Sequence, residues 1–377
     1  MPDDRIERVE VERLESAGEV EAAEWGALAA GRSVYASRPW HLLAERRPGV
    51  RTYCVAARDL DGRVRAILPV GVYYRRPTPS YDPLHLFAEA VADASEESWY
   101  PLVLVGPRAG FLTESLVDPL VPSAERARLL NSLYSDVLAR EERLGARAAL
   151  VPYVRDADAD ALTAALAELA PVRVFTTWEA ELACPRGLDS YIASFRAGRR
   201  AKIRREMRAF GAAGSVVRTT RLSEAVDEIA PLVAGLQARY GDPMPISEVT
   251  GYLRAQAAQL DDVSLVLLCE RAGATAACAV FYVAGTAFHA RLFGGDRSSA
   301  CDYFNLAFYE AVRCAASVGA ESIHYGPGSL EAKTYRGAHL NRLWSIVLPV
   351  GDGPPGLARL AETRSGRPDR VPAGARA

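Results

Sequence analysis

The chain has 377 residues, of which 49% are hydrophobic and 24% are charged, and its formal net charge is −2. These values are typical of a globular protein long enough for two domains, and they exclude a disordered or fibrous chain. A net charge near zero also excludes a global field that attracts nucleic acid, so a polyanion would have to bind at a local basic patch.

Cysteine, histidine and hydropathy patterns narrow the classes further. None of the six cysteines forms a C-x-x-C pair, and the five histidines show no ligand spacing, so we expect no metal site. The first residues, MPDDRIERVE, are acidic and polar and do not resemble a signal peptide, and no apolar run reaches the length of a membrane span. We therefore expect a cytoplasmic protein.

The first half of the chain predicts a hairpin, a helix and a strand in that order. Residues 52–74 contain two apolar runs on either side of Asp61 and Gly62, which is a strong signal for a hairpin turn. Residues 123–144 carry leucines and a valine at helical spacing. A β-strand is predicted for residues 147–154.

The second half predicts the same order of elements. Residues 264–295 contain three strand-like runs separated by Gly273 and Gly285, which indicates an antiparallel meander. A helix is predicted for residues 302–318 and a strand for residues 321–325. The repeated order indicates an α/β protein in which one unit is duplicated.

The duplication predicts a domain boundary near residues 180–187, where ELACPRGLDS breaks the pattern. We therefore predict an N-terminal domain at residues 1–183 and a C-terminal domain at residues 184–350. The tail, residues 351–377, is rich in Gly, Pro and Arg, and we expect it to be disordered.

An additional loop of about residues 75–100 in the first half is rich in Pro and Tyr. Several aromatic and polar residues lie in or beside it, namely Tyr73, Tyr74, Tyr81, Asp82, His85, Trp99 and Tyr100. Such a loop could line an acceptor cleft between the halves or pack as a surface flap, and the sequence leaves both possibilities open.

A strongly basic segment opens the second half. Residues 196–208, RAGRRAKIRREMR, contain seven cations and a single acid, Glu206, and the apolar residues Ile203, Met207 and Phe210 have helical spacing. The pattern predicts an amphipathic helix whose charges repel one another unless an anion offsets them. The helix could bind phosphates of RNA, a nucleotide or coenzyme A, or it could be a solvated face paired with acids. The candidate phosphate-binding residues are Arg199, Arg200, Lys202, Arg204 and Arg205.

The densest polar cluster lies between residues 289 and 344. It combines a strand on which His289 and Arg291 share a face, a helix start, and a Gly-Pro-Gly turn followed by charged residues. Such a turn at the carboxyl end of a strand is a common place for a ligand, and cations beyond it could hold a phosphate, a carboxylate or an oxyanion. The other candidate residues are Asp302, Tyr303, Asn305, Tyr325, Gly328, Glu331, Lys333 and Arg336.

The run from 304 to 340, FNLAFYEAVRCAASVGAESIHYGPGSLEAKTYRGAHL, resembles the C-terminal signature of Fem-like proteins in the GNAT superfamily. That signature is an aromatic-rich helix, a strand ending in aromatic-x-Pro-Gly, and then Glu-x-Lys-x-x-Arg-Gly. The matching residues are Tyr325, Pro327, Gly328, Glu331, Lys333, Arg336 and Gly337. The likeness is good over about residues 190–345 and loose before them.

The resemblance implies two tandem GNAT-like domains, each a mixed and mainly antiparallel sheet flanked by helices. It also implies transfer of an aminoacyl group from aminoacyl-tRNA to an amine, with Lys333 assisting the reaction. Neither half has the Q/R-x-x-G-x-G/A loop with which acetyl-CoA enzymes bind pyrophosphate, which favours tRNA over coenzyme A as the donor. No other cofactor is expected.

The roles follow from the chemistry of an activated ester. Lys333 is predicted to neutralise the oxyanion or the leaving oxygen, and Arg336 to hold a phosphate or carboxylate. Glu331, His289 or Asp302 is predicted to take the proton from the attacking amine. Two alternatives stay open, an acyl-CoA-dependent N-acyltransferase and a non-catalytic module that binds an amino sugar or peptide. The acceptor is a small-molecule or peptide amine, and a biosynthetic pathway for a specialised metabolite fits as well as a cell-wall one.

Overall fold

The structure is a computed structural model that describes residues 9–184, 187–295 and 300–362. Part of the predicted domain boundary, residues 185–186, and the end of the tail, residues 363–377, lie outside the described residues. No helix among the described residues is long and apolar enough to span a lipid bilayer.

The described strands follow one another along the chain as β1 to β13. They are β1 Glu10–Leu14, β2 Val50–Arg58, β3 Val64–Tyr73, β4 Leu102–Val105, β5 Leu116–Val117, β6 Ala148–Arg155, β7 Val172–Ala183, β8 Val216–Thr220, β9 Ser264–Arg271, β10 Ala274–Ala284, β11 Ala287–Gly295, β12 Ser322–Gly326 and β13 His339–Pro349.

The described α-helices are numbered α1 to α14 in the same way. They are α1 Ala22–Ala29, α2 Arg38–Glu45, α3 Pro83–Leu86, α4 Glu96–Trp99, α5 Ser123–Glu142, α6 Asp156–Ala165, α7 Leu188–Ala193, α8 Ala197–Ala212, α9 Leu222–Arg239, α10 Ile246–Leu260, α11 Ala300–Phe304, α12 Ala311–Ser317, α13 Leu330–Thr334 and α14 Leu357–Glu362. A π-helical segment, Asn305–Glu310, joins α11 to α12.

The chain divides into two compact units. Unit 1 contains the described residues up to Trp178 together with those from Asn341 onward, and unit 2 contains residues 179–340. In unit 1 the strand order is β1-β2-β3-β4-β6-β13, with β5 on β3. Strands β4 and β6 run parallel, and the other neighbours in this order pair antiparallel, as does β5 with β3. Helix α5 buries Leu133 and Val137 in the core of this unit.

Unit 2 repeats this arrangement. Its strands follow the order β7-β12-β11-β10-β9-β8, in which β11 and β12 are parallel and the other neighbours antiparallel. The helical run from α11 to α12 connects β11 to β12, as α5 precedes β6 in unit 1. Its residues Phe308 and Val312 pack in a core that also holds Phe288 and Ile323 from the sheet. The predicted fold class, a duplicated α/β unit with a mainly antiparallel sheet, is confirmed.

The division into units differs from the predicted boundaries after residues 183 and 350. It falls within β7, and residues 341–350 belong to unit 1. The reason is an exchange of strands. Strand β7 follows β6 in the chain, but its residues 180–183 pair with β12. Strand β13 follows β12 in the chain, but its residues 343–349 pair with β6.

Two segments expected to lack regular structure contain helices. The loop at residues 75–100 includes α3 and α4, and it is anchored where the buried Tyr100 hydroxyl donates a 2.8 Å hydrogen bond to Asp82. The first part of the tail, for which the sequence predicts disorder, turns at Gly351 and forms α14, with Leu360 fully buried. The apolar side chain of Leu360 explains this correction, because its burial fixes the segment against unit 1.

Candidate active site

Strand β12 runs into the turn that the Gly-Pro-Gly sequence predicts. Gly326, Gly328 and Ser329 have φ angles of 63°, 81° and 46°, and all three lie in the left-handed region. Glycine adopts this region without steric cost, whereas most other residues do so rarely. The turn therefore reverses the chain within a few residues and starts α13 close to the end of β12. Gly328, a predicted substrate-binding residue, supplies part of this bend.

Lys333 lies on α13, and its side chain extends back to the turn after β12. The lysine side chain is buried, and Nζ donates hydrogen bonds to the carbonyl oxygens of Tyr325, Gly326 and Pro327 at 2.8, 3.0 and 3.0 Å. An ammonium group has three donors, and these carbonyls use all of them. Burial lowers the pKa of Lys333 to about 8, and the negative charge of Glu179 opposes this shift. Lys333 thus holds the turn in place and brings a buried cation close to Glu179.

Arg336 follows α13 and is also buried. Its Nη2 donates to both carboxylate oxygens of Glu206 on α8, at 3.2 and 3.1 Å, and Nη1 donates to the carbonyl of Ala332 at 3.2 Å. The guanidinium lies over the Phe304 ring, 3.2 Å from its centroid. Arginine favours such stacking because its charge is delocalised and weakly hydrated. Arg336 therefore joins the predicted basic helix to the end of α13, and the Glu206 carboxylate already binds its Nη2.

Glu206, the single acid of the basic helix, faces the interior of unit 2. Its carboxylate accepts a hydrogen bond from the hydroxyl of Tyr309 as well as those of Arg336. Burial, followed by this hydrogen bond, raises the pKa of Tyr309 well above its ordinary value. The Tyr191 hydroxyl donates to the carbonyl of Arg336 at 2.8 Å. The network fixes α8, the π segment and the end of α13 as one body.

The π segment provides further anchors. A π-helix leaves backbone groups without the usual α-helical partner, and such segments are frequent at functional sites. The Tyr325 hydroxyl donates to the carbonyl of Ala307 at 2.8 Å, and its ring stacks on Phe308. Asn305 Nδ2 donates to the carbonyl of Cys301 at 2.6 Å. Tyr325 and Asn305, predicted to bind substrate, are thus buried and bonded within the protein.

A row of ionisable residues crosses the sheet of unit 2 on one face. Neighbouring residues of a strand point to opposite faces. Ala180, Leu182, Phe288, Ile323 and Tyr325 pack in the core, so their alternating neighbours lie on the other face. The register places His324 beside Glu181 on one strand and beside His289 on the other. The members of this polar row are Glu179, Glu181, His289 and His324.

His324 is the centre of the polar row. Its Nδ1 lies 3.2 Å from Glu179 Oε1, its Nε2 lies 3.6 Å from Glu181 Oε1, and its ring stacks on His289 at a centroid distance of 4.8 Å. The Ser322 hydroxyl is 3.1 Å from Nε2. A carboxylate beside one ring nitrogen fixes the orientation of an imidazole and stabilises its protonated form during a reaction. This arrangement can accept and return a proton.

The polar row also lies where two strands separate. The parallel pairing of β11 and β12 covers three register pairs and ends at His289 and His324. Glu179, Glu181 and His324 each offer a ligand atom, and these atoms lie within 4.8 Å of one another. Among the described residues they could hold a divalent metal, since zinc accepts imidazole and carboxylate ligands.

Of the polar row, only His289 was predicted from the sequence. The other members were missed because the register between β7 and β12, which brings together residues 145 positions apart in the chain, is not a local property of the sequence. The one local signal is the alternation Glu179-Ala-Glu181-Leu within a strand, which predicts two carboxylates on one face.

Two predicted proton acceptors lie apart from the polar row. Glu331 is exposed on α13. Asp302 is buried, and its carboxylate accepts a 2.6 Å hydrogen bond from Nη2 of Arg271. A buried carboxylate that is already paired with an arginine is engaged within the protein, which favours a structural role.

The remaining two predicted substrate-binding residues flank the sheet. Arg291 lies on the same strand face as His289, and its guanidinium donates to the Tyr252 hydroxyl on α10. Tyr303 packs edge-on against Phe293, with ring centroids 5.0 Å apart. Arg291 therefore borders the polar row, whereas Tyr303 belongs to the aromatic packing beside the core.

The basic segment forms α8, as predicted, and its buried residues include Ile203 and Phe210. Three of its cations contact a backbone carbonyl or an aromatic ring. Arg200 Nη1 donates to the carbonyl of Phe195 at 2.6 Å, and the cationic groups of Arg199 and Lys202 each lie 4.5 Å from the centroid of the Tyr335 ring. Arg204 and Arg205 are exposed. The helix thus contacts Tyr335, just after α13, and carries exposed cations at Arg204 and Arg205.

Comparison with solved structures finds the same fold in proteins of low sequence identity. FemX covers 89% of this chain and 96% of its own, with 12% identity and a TM-score of 0.62. A tandem GNAT protein from the clavulanic acid biosynthesis pathway covers 91% and 99%, with 14% identity and a TM-score of 0.52. L-PGS from Bacillus licheniformis covers 91% and 96%, with 10% identity and a TM-score of 0.54. No curated protein matches the sequence.

A match to a family model tests the family resemblance that the sequence around the Gly-Pro-Gly turn predicts. The family is named FemAB-like and is described as acting in peptidoglycan biosynthesis or recognition, and its model matches residues 17–350. Family and fold together support an acyltransferase. The predicted Fem-like resemblance is confirmed, and the chain belongs to the FemAB-like family.

Proposed function

We propose that the protein forms an amide bond by transferring an aminoacyl group from aminoacyl-tRNA to an amine, and that unit 2 carries the chemistry. The observation that supports this most is the position of His324, flanked by Glu179 and Glu181 where β11 and β12 part. An aminoacyl ester is already activated, so the reaction requires a neutral amine, a proton acceptor and a stabilised oxyanion rather than a covalent intermediate.

In the proposed reaction, the polar row accepts and returns the proton. The amine nitrogen attacks the ester carbonyl, and its proton passes to the His324 imidazole while the C–N bond forms. The tetrahedral intermediate then breaks its C–O bond, and the departing ribose oxygen receives the proton from His324. General acid–base catalysis of this kind contributes about 10²–10⁴-fold in rate. Glu179 and Glu181 stabilise the imidazolium between the two steps.

Lys333 takes a different role from the one that the sequence predicts. Its three donors are used by backbone carbonyls, so contact with an oxyanion would require it to release one of them. We propose that Lys333 is a positioning residue. It fixes the turn after β12, and its charge stabilises the Glu179 carboxylate and thereby the orientation of His324.

The exposed cations of α8 suit a polyanionic donor. Arg204 and Arg205 are exposed on the helix whose inner face is fixed to the turn by Glu206 and Arg336. A phosphate backbone binds to such a face mainly through electrostatic attraction and counterion release. We propose that α8 binds the acceptor stem of the charged tRNA.

The first experiment identifies the donor. The purified protein is incubated with tRNA charged with radiolabelled amino acids, or with radiolabelled acetyl-CoA, and a panel of amines that includes a peptidoglycan-type peptide. We expect label from the charged tRNA in an amide product that survives RNase and alkali. The matched inactive control is His324→Gln, which retains a planar hydrogen-bonding side chain.

Two outcomes would overturn the proposal in different ways. Label from acetyl-CoA alone would assign an acyl-CoA-dependent N-acyltransferase. Tight binding of an amino sugar or peptide without turnover of either donor, unchanged in Lys333→Ala, would assign a non-catalytic binding module.

A further inference from the structure

A cavity of about 500 Å³ lies in unit 1, and its lining residues are distinct from those of the polar row. The lining combines cationic and aromatic side chains. The six that bear on ligand binding are Arg47, Tyr73, Tyr74, Arg75, Arg76 and Tyr81. Such a composition favours an organic molecule that carries an anionic group, because arginines hold the charge and tyrosine rings contact the remainder.

Arg108 lies beside this cavity and is only 5% exposed. It interacts electrostatically with Tyr73 and Arg47, both of which line the cavity, and the next residue, Ala109, lines it as well. Among the residues that the structure describes, Nη1 of Arg108 has no hydrogen-bond partner. A guanidinium stays protonated in proteins, so Arg108 is a buried cation with an unused donor.

The fold makes room for this arginine. A Cβ atom at Gly71 on β3 would lie 2.9 Å from Cδ and 3.5 Å from Nε of Arg108, so the side chain rests directly on the glycine backbone. The loop that carries Arg108 is held by the Trp40 indole, which donates to the carbonyl of Arg108 at 3.0 Å. Ala109 has a φ angle of 62°. A position built in this way is fixed before any ligand arrives.

The charges around Arg108 offset its own only in part, because burial, the largest cause, lowers the pKa of Arg108 whereas Glu45 raises it. The nearby Glu45 carboxylate accepts hydrogen bonds from the Ser16 hydroxyl and the Ala17 amide, both at 2.7 Å. Burial, with the charge of Arg108 as a second cause, lowers the pKa of His41 to about 3, so His41 is neutral near pH 7. Arg47 adds a second positive charge, which lowers the pKa of Arg108 further. A buried cation whose charge is offset only in part is destabilised by the loss of its hydration, and a bound anion removes this destabilisation.

We propose that the cavity of unit 1 binds a small molecule through a phosphate or carboxylate group held by Arg108 and Arg47. The rings of Tyr73, Tyr74 and Tyr81 contact the rest of the ligand. Arg76 lines the cavity too, but Asp82 already pairs with it and reduces its attraction for an anion. This proposal is independent of the amide-forming reaction assigned to unit 2, because it concerns binding alone.

Isothermal titration calorimetry of the full chain with inorganic pyrophosphate and, separately, with succinate at low ionic strength tests the proposal. We expect saturable binding of at least one of them, and the one that binds identifies the anionic group. Arg108→Met keeps the stem on Gly71 and removes the charge, so affinity should fall at least tenfold. Arg47→Gln, which alters a residue at the cavity rim, should weaken binding several-fold even if Arg108→Met proves too unstable to measure.

Two controls locate the bound anion. Arg46→Gln removes an exposed neighbour that does not line the cavity, and Arg254→Gln removes an exposed cation of unit 2. Both should bind as tightly as the wild type. The proposal is overturned if neither anion binds to the wild type, or if Arg108→Met and Arg47→Gln bind with unchanged affinity.

Discussion

Nη2 of Arg336 lies 3.2 Å from Oε1 and 3.1 Å from Oε2 of Glu206, and this buried pair joins two segments that are 130 residues apart in the chain. Glu206 is the only acid among the cations of α8, and it points inward while Arg204 and Arg205 point outward. The pair therefore separates a structural face of the helix from an exposed basic face.

Removing one member of this pair should be strongly destabilising. Arg336→Met leaves the Glu206 carboxylate buried without its cation, and we expect the free energy of unfolding to fall by about 3–5 kcal/mol. Urea unfolding followed by circular dichroism measures this change. The double variant Glu206→Leu with Arg336→Met should lose less than the sum of the two single variants, because neither charge is then left alone.

A matched exposed pair provides the control for this cycle. Arg254 and Asp227 lie 3.0 Å apart, with side chains 65% and 79% exposed. Arg254→Met should change the free energy of unfolding by less than about 1 kcal/mol. Equal losses for the buried and the exposed variant would show that the Glu206–Arg336 pair does not stabilise unit 2.

The buried Lys333 predicts a specific dependence of stability on pH. Its folded pKa of about 8 lies below the ordinary value of 10.5. Between these two values the unfolded chain holds a proton that the native chain has lost, so stability rises with pH across this window. Relative to Lys333→Met, the wild type should gain up to about 3 kcal/mol between pH 8 and pH 10.5.

Urea unfolding of both proteins at pH 7.5, 9 and 10.5 measures this effect. Subtracting the variant from the wild type removes contributions from tyrosines and other groups common to both. A difference that stays constant or shrinks as pH rises would contradict the buried-lysine assignment. The variant should also be less active at every pH, since the turn loses the donor that holds its three carbonyls.

The regular elements of the repeat could be read from the sequence because their signals are local. The glycines at 273 and 285 separate β9, β10 and β11, and the helical spacing of residues 123–144 matches α5 within two residues. The exchange of β7 and β13 between the units could not be read, because it depends on pairing between distant segments. For the same reason the order along the chain misplaced residues 341–350.

The candidate site was predictable in part. The turn at Gly326 and Gly328 follows from its residues, and so does the proximity of Lys333 to it. The lysine was expected to face a substrate, yet its ammonium group donates hydrogen bonds to three backbone carbonyls. Sequence reasoning treats a cation near a turn as available for a ligand, whereas carbonyls left without partners by a tight turn need donors too.

The assignment of His324 as the proton acceptor predicts a selective loss of rate. His324→Gln should lower kcat of amide formation by about 10²–10⁴-fold with little change in KM for the charged tRNA. Glu179→Gln should give a smaller loss, because it removes the group that orients the imidazole and not the acceptor itself. Steady-state kinetics with a fixed acceptor measures both parameters.

Glu331→Gln and EDTA serve as the controls for this prediction. Glu331 is exposed on α13 and lies apart from the polar row, so its variant should retain the wild-type rate. Activity should also survive EDTA. Loss of activity on chelation with recovery on adding zinc would show instead that Glu179, Glu181 and His324 hold a metal ion.

The exposed basic face of α8 predicts how the affinity for charged tRNA depends on salt concentration. Arg204→Gln combined with Arg205→Gln removes two phosphate contacts, so KM for aminoacyl-tRNA should rise while kcat changes little. The slope of log affinity against log salt concentration should become shallower by about 2, since each phosphate contact contributes about 0.9 on a duplex. Filter binding of charged tRNA over a series of salt concentrations measures this slope.

The comparison with Arg254→Gln decides whether the location of the charge matters. Arg254 is an exposed arginine of unit 2 on α10, so its removal lowers the net charge without altering α8. If α8 binds the donor, this variant keeps the wild-type slope and KM. If every arginine removed from the surface weakened binding equally, attraction would depend on net charge, and a chain whose formal net charge is −2 would then have no reason to bind RNA at all.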